Sequence, residues 1–541
     1  MNMKKPIVIL AMALSLGVMQ TATARTMKVM GTVTDMQGQP IKGVTVSDGF
    51  TAVQTDNDGK YAFVRNEAAY YVHYSVPADC EVPVRYGHPC FFRKLDRDSV
   101  YNFHLLRKPG MKDTKVNLFF IADPQCQNPH HVRRLHNETV PDIREHGKTL
   151  QGVNYAITLG DIGYTEGEFN TNYILPMMRE EMKEENMGMK VFQTNGNHDQ
   201  IYEGLELNTQ NPLPMQRYLR MFEDLFGPTD YSWNRGDVHI VSMNNVMYDK
   251  LNTAGKYHGE LTKEQMEWLR QDLSFVPKDK LVLFCCHIPI WGTRNTDTLL
   301  QLLSQFPNVY IYSGHIHANR PARHKYGVKE FNLAAASGCW WWSRLNADGV
   351  PHGYQVVNIE GNKIVDQYWK STRYPRSFQI RLYRGDCVFG GKYERDELPF
   401  GKKVVLANVF GWEPEWKVEV YENDKLMGEM ERINPDGGRS LKPSLTSCQD
   451  WWAIGYHCGI IGRGNIGGSN RNSYISVCTH MFKYTMKKAN AKIKVVATDP
   501  YGNRYEQTEM IEGNAFEPGN KVYETAVSPQ YDLDPVWEYY H

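Results

Sequence analysis

The chain has no net charge and, beyond its first two dozen residues, no long apolar run. Its 541 residues include 61 lysines and arginines and 61 aspartates and glutamates, so the formal net charge is +0 at pH 7. Binding to a nucleic-acid backbone needs a positive surface, and this balance gives no support for a nucleic-acid partner. A helix that spans a bilayer needs about 20 apolar residues in a row, so we expect no transmembrane segment.

The ten cysteines also lack a CxxC spacing, which argues against a zinc knuckle. Cys285 and Cys286 lie in an apolar run and are expected to be buried strand residues. Cys80 and Cys90 are close enough in sequence to form a disulfide. The same holds for some of the C-terminal cysteines, namely Cys387, Cys448, Cys458 and Cys478. The sequence does not decide their connectivity.

The N-terminus has the pattern of a signal peptide over residues 1–24. Lys4 and Lys5 precede an apolar stretch from Ile7 to Met19, and Ala22-Thr23-Ala24 offers a cleavage site of small residues. A buried N-terminal helix is the alternative. We expect an exported protein, periplasmic or extracellular. Because no cysteine follows the predicted cleavage site, a lipid anchor is not indicated.

Residues 28–108 alternate short β-rich runs with turn signals, which predicts a small β-sandwich. The string GTVTDMQGQPIKGVTVSDG, followed by TDNDGKYAF, resembles the carboxypeptidase-regulatory-like modules of exported bacterial proteins. Asp56 and Asp58 can be interpreted as calcium ligands, but an Asp-Gly hairpin turn needs no ion, and we favour the turn.

Residues 112–372 alternate strand-length apolar runs with amphipathic stretches, which predicts a layered α/β domain. The helical candidates are Leu175–Glu185, Gln216–Leu225 and Thr262–Leu273, the last opened by a capping box. Strand patterns return in residues 375–512, which we expect to form a C-terminal β-rich domain. Residues 513–541 are polar and predict a tail on the surface.

Potential metal ligands follow five of the predicted strands. They are Asp123 and Gln125 after Leu118–Ala122, Asp161 after Tyr155–Leu159, Asn197, His198 and Asp199 after Lys190–Gln193, His287 after Leu281–Cys286, and His315 and His317 after Val309–Tyr312. Ligands of open α/β sheets bind at the carboxyl ends of the strands. One Gly-Asp pair or one histidine there is usually a turn or surface residue. Five such strand ends in succession, each followed by potential ligands, predict one shared metal site.

These residue types suit two divalent cations. A pair of cations about 3.5–4 Å apart is held by carboxylates, an amide oxygen and imidazoles. Asp161 can bridge both ions, and His315 and His317 project to the same side of an extended segment. The glycines before Asp161, Asn197 and His315 leave room for backbone to approach a crowded site.

The order D-x-Q, GD, GNHD, H and GHIH resembles that of the calcineurin-like metallophosphoesterases, over roughly residues 114–370. The strings VVLANVFGWEPEWKVEVYE and IKVVATDPYGNRYE look like the C-terminal module of an exported bacterial branch of that superfamily. The resemblance implies a four-layer α/β fold, a β-sandwich flanked by helices. It also implies two divalent metal ions (manganese, iron, zinc, calcium or magnesium) and hydrolysis of small phosphate esters by a metal-bound hydroxide.

The resemblance also implies a role for each motif residue. Asp123 and His317 hold the first metal, Asp161 bridges, and the second metal is held by Asn197, His287 and His315. His198 meets a phosphoryl or leaving-group oxygen, and Asp199 orients it. Gln125 departs from the pattern, because many members have a histidine ligand there and an amide oxygen coordinates more weakly. We expect His130 and His131 to be loop residues rather than ligands, and Cys126 to pack.

The substrate is less well defined by the sequence. Trp340 and Trp341 are either core residues or a platform for an apolar or sugar-bearing part of the ester. Tyr164 and Arg294 are further candidates for substrate contact, by position alone. Monoester and diester stay open, as does the oligomeric state. A non-catalytic metal-containing binding protein of the envelope, using its β modules for glycan contact, is the alternative function. A nuclease is disfavoured by the neutral charge.

Overall fold

The computed structural model describes residues 27–108, 113–164, 171–200, 216–248, 257–387, 400–433, 449–460 and 475–512. The predicted signal peptide and tail lie outside these residues, as does Cys448. Within the described part of the chain, no helix is long and apolar enough to cross a membrane. Cys80 and Cys90 do not form the disulfide that their spacing allows, since both are free thiols.

The N-terminal sandwich, residues 27–108, consists of two small sheets. Their strand orders are β4-β1-β9 and β3-β2-β5-β8, with β6 and β7 as a separate pair. Asp56 Oδ1 accepts hydrogen bonds from the backbone of Asp58 and Lys60 at 2.9 and 2.8 Å, so this hairpin is the expected turn. The strands are β1 Lys28–Asp35, β2 Thr45–Ser47, β3 Ala52–Gln54, β4 Lys60–Val64, β5 Tyr71–Tyr74, β6 Val84–Arg85, β7 His88–Pro89, β8 Phe92–Lys94 and β9 Phe103–Leu105.

The central domain, residues 113–371, has two larger sheets of order β12-β11-β10-β21-β22 and β13-β14-β17-β18-β20-β19, and a β15-β16 pair. Its strands are β10 Lys115–Ile121, β11 Val153–Thr158, β12 Lys190–Phe192, β13 Tyr231–Arg235, β14 Val238–Ser242, β15 Val246–Tyr248, β16 Tyr257–Gly259, β17 Leu281–Cys285, β18 Asn308–Ser313, β19 Arg320–Arg323, β20 Lys329–Asn332, β21 Gly353–Glu360 and β22 Lys363–Ser371. Its helices are α1 Pro129–Asn137, α2 Thr139–Lys148, α3 Thr171–Glu181, α4 Glu184–Met187, α5 Gln216–Phe226, α6 Lys263–Ser274 and α7 Thr296–Leu303.

Three apolar clusters give this domain its four layers. Phe120 of β10 and Tyr312 of β18 stack at 4.0 Å in the core between the two sheets. The outer face of the first sheet packs on α1, α2, α3 and α5 through a second cluster. The outer face of the second sheet packs on α6 and α7 through a third. The predicted α/β fold, a β-sandwich flanked by helices, is confirmed.

The C-terminal sandwich, residues 380–511, also has two sheets, of order β27-β28-β24-β23-β31 and β26-β25-β29-β30. An apolar cluster that includes Trp412 and Trp416 lies in it. Its elements are β23 Ile380–Arg384, β24 Val404–Val409, β25 Lys417–Glu422, β26 Lys425–Glu429, β27 Glu431–Arg432, α8 Trp451–Ile454, β28 Met481–Thr485, β29 Ile493–Thr498, β30 Arg504–Gln507 and β31 Met510–Ile511.

Both sandwiches make buried polar contacts with the central domain. Trp268 Nε1 donates to Ser47 Oγ of the N-terminal sandwich at 2.8 Å. On the other side, His480 Nε2 lies 3.2 Å from Asp348 Oδ2, and this carboxylate accepts a 2.8 Å hydrogen bond from the backbone of Asn319. Asn319 lies two residues after His317, so the C-terminal sandwich supports the segment that carries this histidine.

Candidate metal centre

The five strand-end segments converge at one edge of the central domain, where the carboxyl ends of both sheets meet. Gln125 N donates to Asp161 O at 2.9 Å, which joins the segments after β10 and β11. His315 N donates to Asp123 Oδ2 at 2.8 Å, which joins the second sheet to the first. His198 N donates to Asp161 Oδ1 at 2.8 Å. The predicted ligands are thus brought together by their own backbones.

The backbone at this edge is strained. Non-glycine residues rarely adopt a positive φ, because the Cβ atom crowds the carbonyl oxygen. Five of the predicted ligands do so, with φ between 37° and 76°: Asp123, Gln125, Asp161, His315 and His317. Such strain clusters at functional sites, where the surrounding structure holds it.

Two glycines allow the close approach that their place in the motifs predicts. A Cβ atom on Gly196 would lie 2.0 Å from Asp161 N, and one on Gly314 would lie 2.5 Å from Asp123 Oδ2. No side chain fits at these distances, so glycine is required wherever the two segments touch.

The second metal position is formed by Asp161, His287 and His315, whose ligand atoms all lie within 4.8 Å of one another. Asn197 Oδ1 lies 2.9 Å from His287 Nε2. His287 Nδ1 lies 2.8 Å from Leu159 O, and hydrogen bonding to this carbonyl leaves Nε2 facing the cluster as a ligand. A carboxylate, an amide oxygen and two imidazoles suit a divalent cation.

The first metal position is marked by buried atoms that make no hydrogen bond among the described residues. Asp123 Oδ1, Gln125 Oε1 and His317 Nδ1 are buried and accept or donate no hydrogen bond among the described residues. Buried polar atoms are nearly always paired, and an unpaired carboxylate oxygen is especially costly. His317 Nε2 lies 3.4 Å from Asp123 Oδ1. These residues therefore fit a cation.

Electrostatics favour the ligand forms of two of these groups. Burial opposes the ionisation of Asp161, but His287 and His198 outweigh it and hold the pKa of its carboxyl well below the usual range. Burial and the neighbouring His287 lower the pKa of His315 to about 4, so this imidazole is neutral at neutral pH. Burial also acts to lower the pKa of His287, but Asp161 raises it to about 9. A cation at this position competes with a proton.

His198 and Asp199 share one helical turn, Asn197–Asp199, but face different surroundings. The ring of His198 stacks on Tyr164, with centroids 4.3 Å apart and an interplanar angle of 26°. Asp199 is fully buried, and its carboxylate accepts backbone hydrogen bonds from Ile162, Gly163 and Gly196 at 2.8 to 2.9 Å. Its visible role is to join two loops; orientation of the imidazole stays a prediction.

Trp340 and Trp341 differ in their surroundings: Trp340 fits the substrate-platform alternative, and Trp341 fits the core alternative. The ring of Trp340 is partly exposed and lies 5.0 Å from the ring of His317, beside the first metal position. Trp341 is 0% exposed, and its Nε1 donates to Pro124 O at 2.7 Å. Substrate contact by Trp341 is therefore wrong: it packs in the core and supports the segment of Asp123. Its carbonyl accepts a hydrogen bond from Arg134.

Arg294 is exposed and lies 3.6 Å from Glu260, so its contact with substrate stays a prediction. Two tyrosines near the centre were not predicted. Tyr248 Oη donates to Asn197 O at 2.8 Å, and the ring of Tyr257 lies 5.6 Å from that of His315. Both come from the β15-β16 pair, and nothing in the sequence distinguishes them from the other tyrosines of the chain.

His130 and His131 do not lie in a loop, as predicted, but in helix α1. The reason is a cap: Asn128 Oδ1 accepts from His131 N at 3.0 Å, and Pro129 occupies the first turn. Cys126 is fully buried in the cluster beneath α1, where it packs as expected.

Three family models match consecutive parts of the chain. Residues 116–319 match the calcineurin-like phosphoesterase model, residues 27–108 its N-terminal companion and residues 330–505 its C-terminal companion. The chain belongs to the calcineurin-like phosphoesterases. Members of this family normally bind a dinuclear metal centre, in agreement with the two metal positions described above.

Individual relatives are more distant. A stretch of 73 residues is 37% identical to the 3',5'-cyclic adenosine monophosphate phosphodiesterase CpdA of Escherichia coli strain K12, over 12% of this chain and 26% of that protein. The chain thus spans about a quarter of the length of the curated relatives that it matches.

Two solved structures are similar to parts of the chain. A dimetal phosphatase from Danio rerio is 14% identical over 47% of this chain and 98% of that one, with a TM-score of 0.32. A purple acid phosphatase, PPD1, from yellow lupin is 11% identical over 61% of this chain and 69% of that one, with a TM-score of 0.30. Similarities this low say nothing of the substrate.

Proposed function

We propose that this chain hydrolyses phosphate esters at the centre between Asp123 and His317. The observation that carries the proposal is the convergence of ligand atoms of Asp161, His287 and His315 within 4.8 Å of one another. Asp123, Gln125 and His317 add three buried atoms that make no hydrogen bond among the described residues. Family membership supports the same reaction class.

Some residues of the centre would hold the metal ions, and His198 would transfer a proton. Two divalent cations, when bound, would activate water and screen the charge that develops on the phosphoryl group. Asp161, which the surrounding histidines keep ionised, would bridge the two cations. Asn197, His287 and His315 would hold the second cation, and Asp123, Gln125 and His317 would hold the first.

His198 acts on the substrate rather than on the metals. It lies on the same turn as Asn197, its backbone is fixed by Asp161, and its ring is stacked on Tyr164. From there it donates a hydrogen bond or a proton to a phosphoryl or leaving-group oxygen. Tyr164 stacks on His198 and Trp340 lies beside His317, and both would contact the alcohol portion of the ester.

The test compares p-nitrophenyl phosphate with bis-p-nitrophenyl phosphate in protein loaded with Mn²⁺. We expect turnover of at least one of the two esters. This turnover should be lost in Asp161→Asn, which keeps the shape of the side chain but removes its negative charge. The ratio of the two rates distinguishes a monoesterase from a diesterase. Because of the CpdA similarity, 3',5'-cyclic adenosine monophosphate is included as a natural diester. No turnover of any ester by metal-loaded protein would overturn the proposal in favour of a metal-containing binding protein.

We further propose that the protein is exported. Support comes from Lys4 and Lys5, the apolar stretch from Ile7 to Met19 and the small residues at 22–24. Mass spectrometry of protein recovered from cells carrying the full gene should find an N-terminus near residue 25. Recovery of the intact N-terminus in the cytoplasm would contradict this.

A further inference from the structure

A cavity of about 130 Å³ lies between the N-terminal sandwich and the central domain. On one side its wall is the turn of Asp48 and Phe50 together with strand β5. On the other it is helix α5, the segment up to Asp230, and Met247. Neither His198 nor any residue assigned to the metal centre belongs to the described wall. The cavity is therefore separate from the site described above.

The wall carries three acidic side chains, Asp48, Glu223 and Asp230, and no lysine or arginine among the described residues. Arg220, behind the wall, donates to Glu223 Oε2 at 2.7 Å and compensates one of the three carboxylates. Burial raises the pKa of Glu223 to about 7 and that of Asp230 to about 6. A cation in the cavity would offset this desolvation and stabilise the ionised form of both carboxyl groups.

His73 is a second and independent indication of a ligand. It lines the cavity from β5, is 2% exposed, and neither of its ring nitrogens has a hydrogen-bond partner among the described residues. Burial lowers the pKa of His73 to about 4, so its imidazole is neutral and one nitrogen is an acceptor. A buried imidazole without any partner is rare in proteins, and a ligand with an N–H or O–H group would provide one.

The donors in this wall do not form a cage for a bare metal ion. Among the described residues, the one group of three metal-ligating side chains within 4.8 Å is that of Asp161, His287 and His315. The cavity wall instead combines carboxylates with the apolar side chains of Phe50, Tyr71 and Met247. Carboxylates beside aromatic faces suit an organic ammonium compound, since its charge pairs with the carboxylates and its carbon atoms contact the apolar side chains. A cavity of about 150 Å³ accepts a molecule as large as benzene, which sets the size of the ligand.

We propose that this cavity binds a small organic cation, a primary or quaternary ammonium compound of the size of ethanolamine or choline. The ammonium group lies between Glu223 and Asp230, the carbon atoms contact Phe50 and Met247, and a hydroxyl or N–H group donates to His73. The site does not depend on the phosphoesterase reaction.

Isothermal titration calorimetry on the full chain tests the proposal without any turnover, so the result is independent of the proposed function. The probes are choline, ethanolamine and 3,3-dimethylbutan-1-ol, the neutral analogue of choline with carbon in place of the charged nitrogen. We expect at least one amine to bind, and the neutral analogue to bind about tenfold more weakly or worse. Absence of binding by both amines, or equal affinity for choline and its neutral analogue, would overturn the proposal.

Variants locate the binding in the cavity. Asp230→Asn and Glu223→Gln keep side-chain shape and should each weaken amine binding about tenfold. Asp224→Asn is the matched control, because this acid follows Glu223 on the same helix but is 53% exposed and outside the wall. Asp161→Asn should also keep the affinity, which excludes binding at the metal centre.

Circular dichroism checks the fold of each variant. If Asp230→Asn does not fold, the affinity of Glu223→Gln for the ammonium compounds is the deciding measurement. Unchanged affinity in a folded wall variant would overturn the assignment. So would Ca²⁺, Mg²⁺ or Zn²⁺ binding that persists in Asp161→Asn and is lost in the wall variants, since it would identify an inorganic ion as the ligand.

Discussion

Gln125 is an amide at a position where a histidine would be the stronger ligand, and its side chain has two functions. Its Nε2 donates to Asp161 Oδ2 at 2.8 Å, which turns Oε1 toward the first metal position. That oxygen is buried and has no other partner among the described residues. The hydrogen bond to the bridging carboxylate thus also fixes the orientation of the ligand.

We predict that Gln125→Ala weakens metal binding at the first position about 10- to 100-fold, since both a ligand and the orientation of Asp161 are lost. Metal affinity at the second position should fall less. Metal content of dialysed protein, measured by plasma mass spectrometry, reports this as a fall from two ions toward one. Two tightly retained ions in the variant would show that Gln125 is no ligand.

At His198 we predict loss of turnover with the metals retained. His198→Ala should lower kcat about 10²- to 10⁴-fold, which is the usual contribution of a positioned acid or base. His136→Ala is the control, because this histidine is exposed on helix α1 and belongs to no part of the metal centre. If His198→Ala loses a metal ion, the residue is a ligand and the assigned role is wrong.

At the scale of single elements, the metal centre consists of strand ends held by loop-to-loop hydrogen bonds. Asp199 accepts three of the hydrogen bonds at this edge, two from the backbone of Ile162 and Gly163 in the neighbouring loop and one from Gly196 in its own. A buried carboxylate with three such donors is a structural link, and removing it leaves three buried donors without an acceptor.

We therefore predict that Asp199→Ala lowers the free energy of unfolding by about 2–4 kcal/mol and also weakens metal binding. Asp199→Asn, which keeps one acceptor oxygen, should have a smaller effect on both. Urea denaturation with and without metal measures the two contributions. Equal stability of Asp199→Ala and wild-type protein would contradict the structural role.

The elements that the sequence predicts best are those whose patterns are local. Strand β29 is found at the predicted residues Ile493–Thr498, and α6 begins after its predicted capping box at Thr262. Helices α1 and α2 were not predicted, although Asn128 and Pro129 are a readable start signal for α1. Helix α3 begins at Thr171 rather than at Leu175.

The metal ligands of the candidate site could be predicted because they lie in short motifs. The surrounding residues, which lie outside these motifs, could not. Asp123, Asp161 and Asn197 lie in short strings whose order carries information. Trp340 and Trp341 are neighbours with the same chemistry, yet the ring of one lies beside His317 and that of the other is buried in the core. No sequence pattern encodes that choice.

At the scale of the whole molecule, the three modules share buried contacts that no local pattern could predict. Trp268 and Ser47 are 221 residues apart, and His480 and Asp348 are 132 apart. The second contact bears on the metal centre, because Asp348 fixes the backbone of Asn319, next to the segment of His317.

We predict that His480→Ala lowers metal affinity at the first position, although His480 belongs to another module. Asn408 Nδ2 also donates to Asp348 O at 3.0 Å, so the loss should be partial, about tenfold. His136→Ala, a change at an exposed histidine on α1, is the control. Unchanged metal affinity in folded His480→Ala would show that the C-terminal sandwich does not support the centre.

The contact between Asp348 and His480 has a consequence for the time course of synthesis. A growing chain that has released His317 from the ribosome still lacks His480, which follows about 160 residues later. At about 5–20 residues per second, that interval lasts roughly ten to thirty seconds. A chain synthesised only as far as the central domain therefore carries every ligand but lacks the support that His480 gives, through Asp348, to the segment of His317.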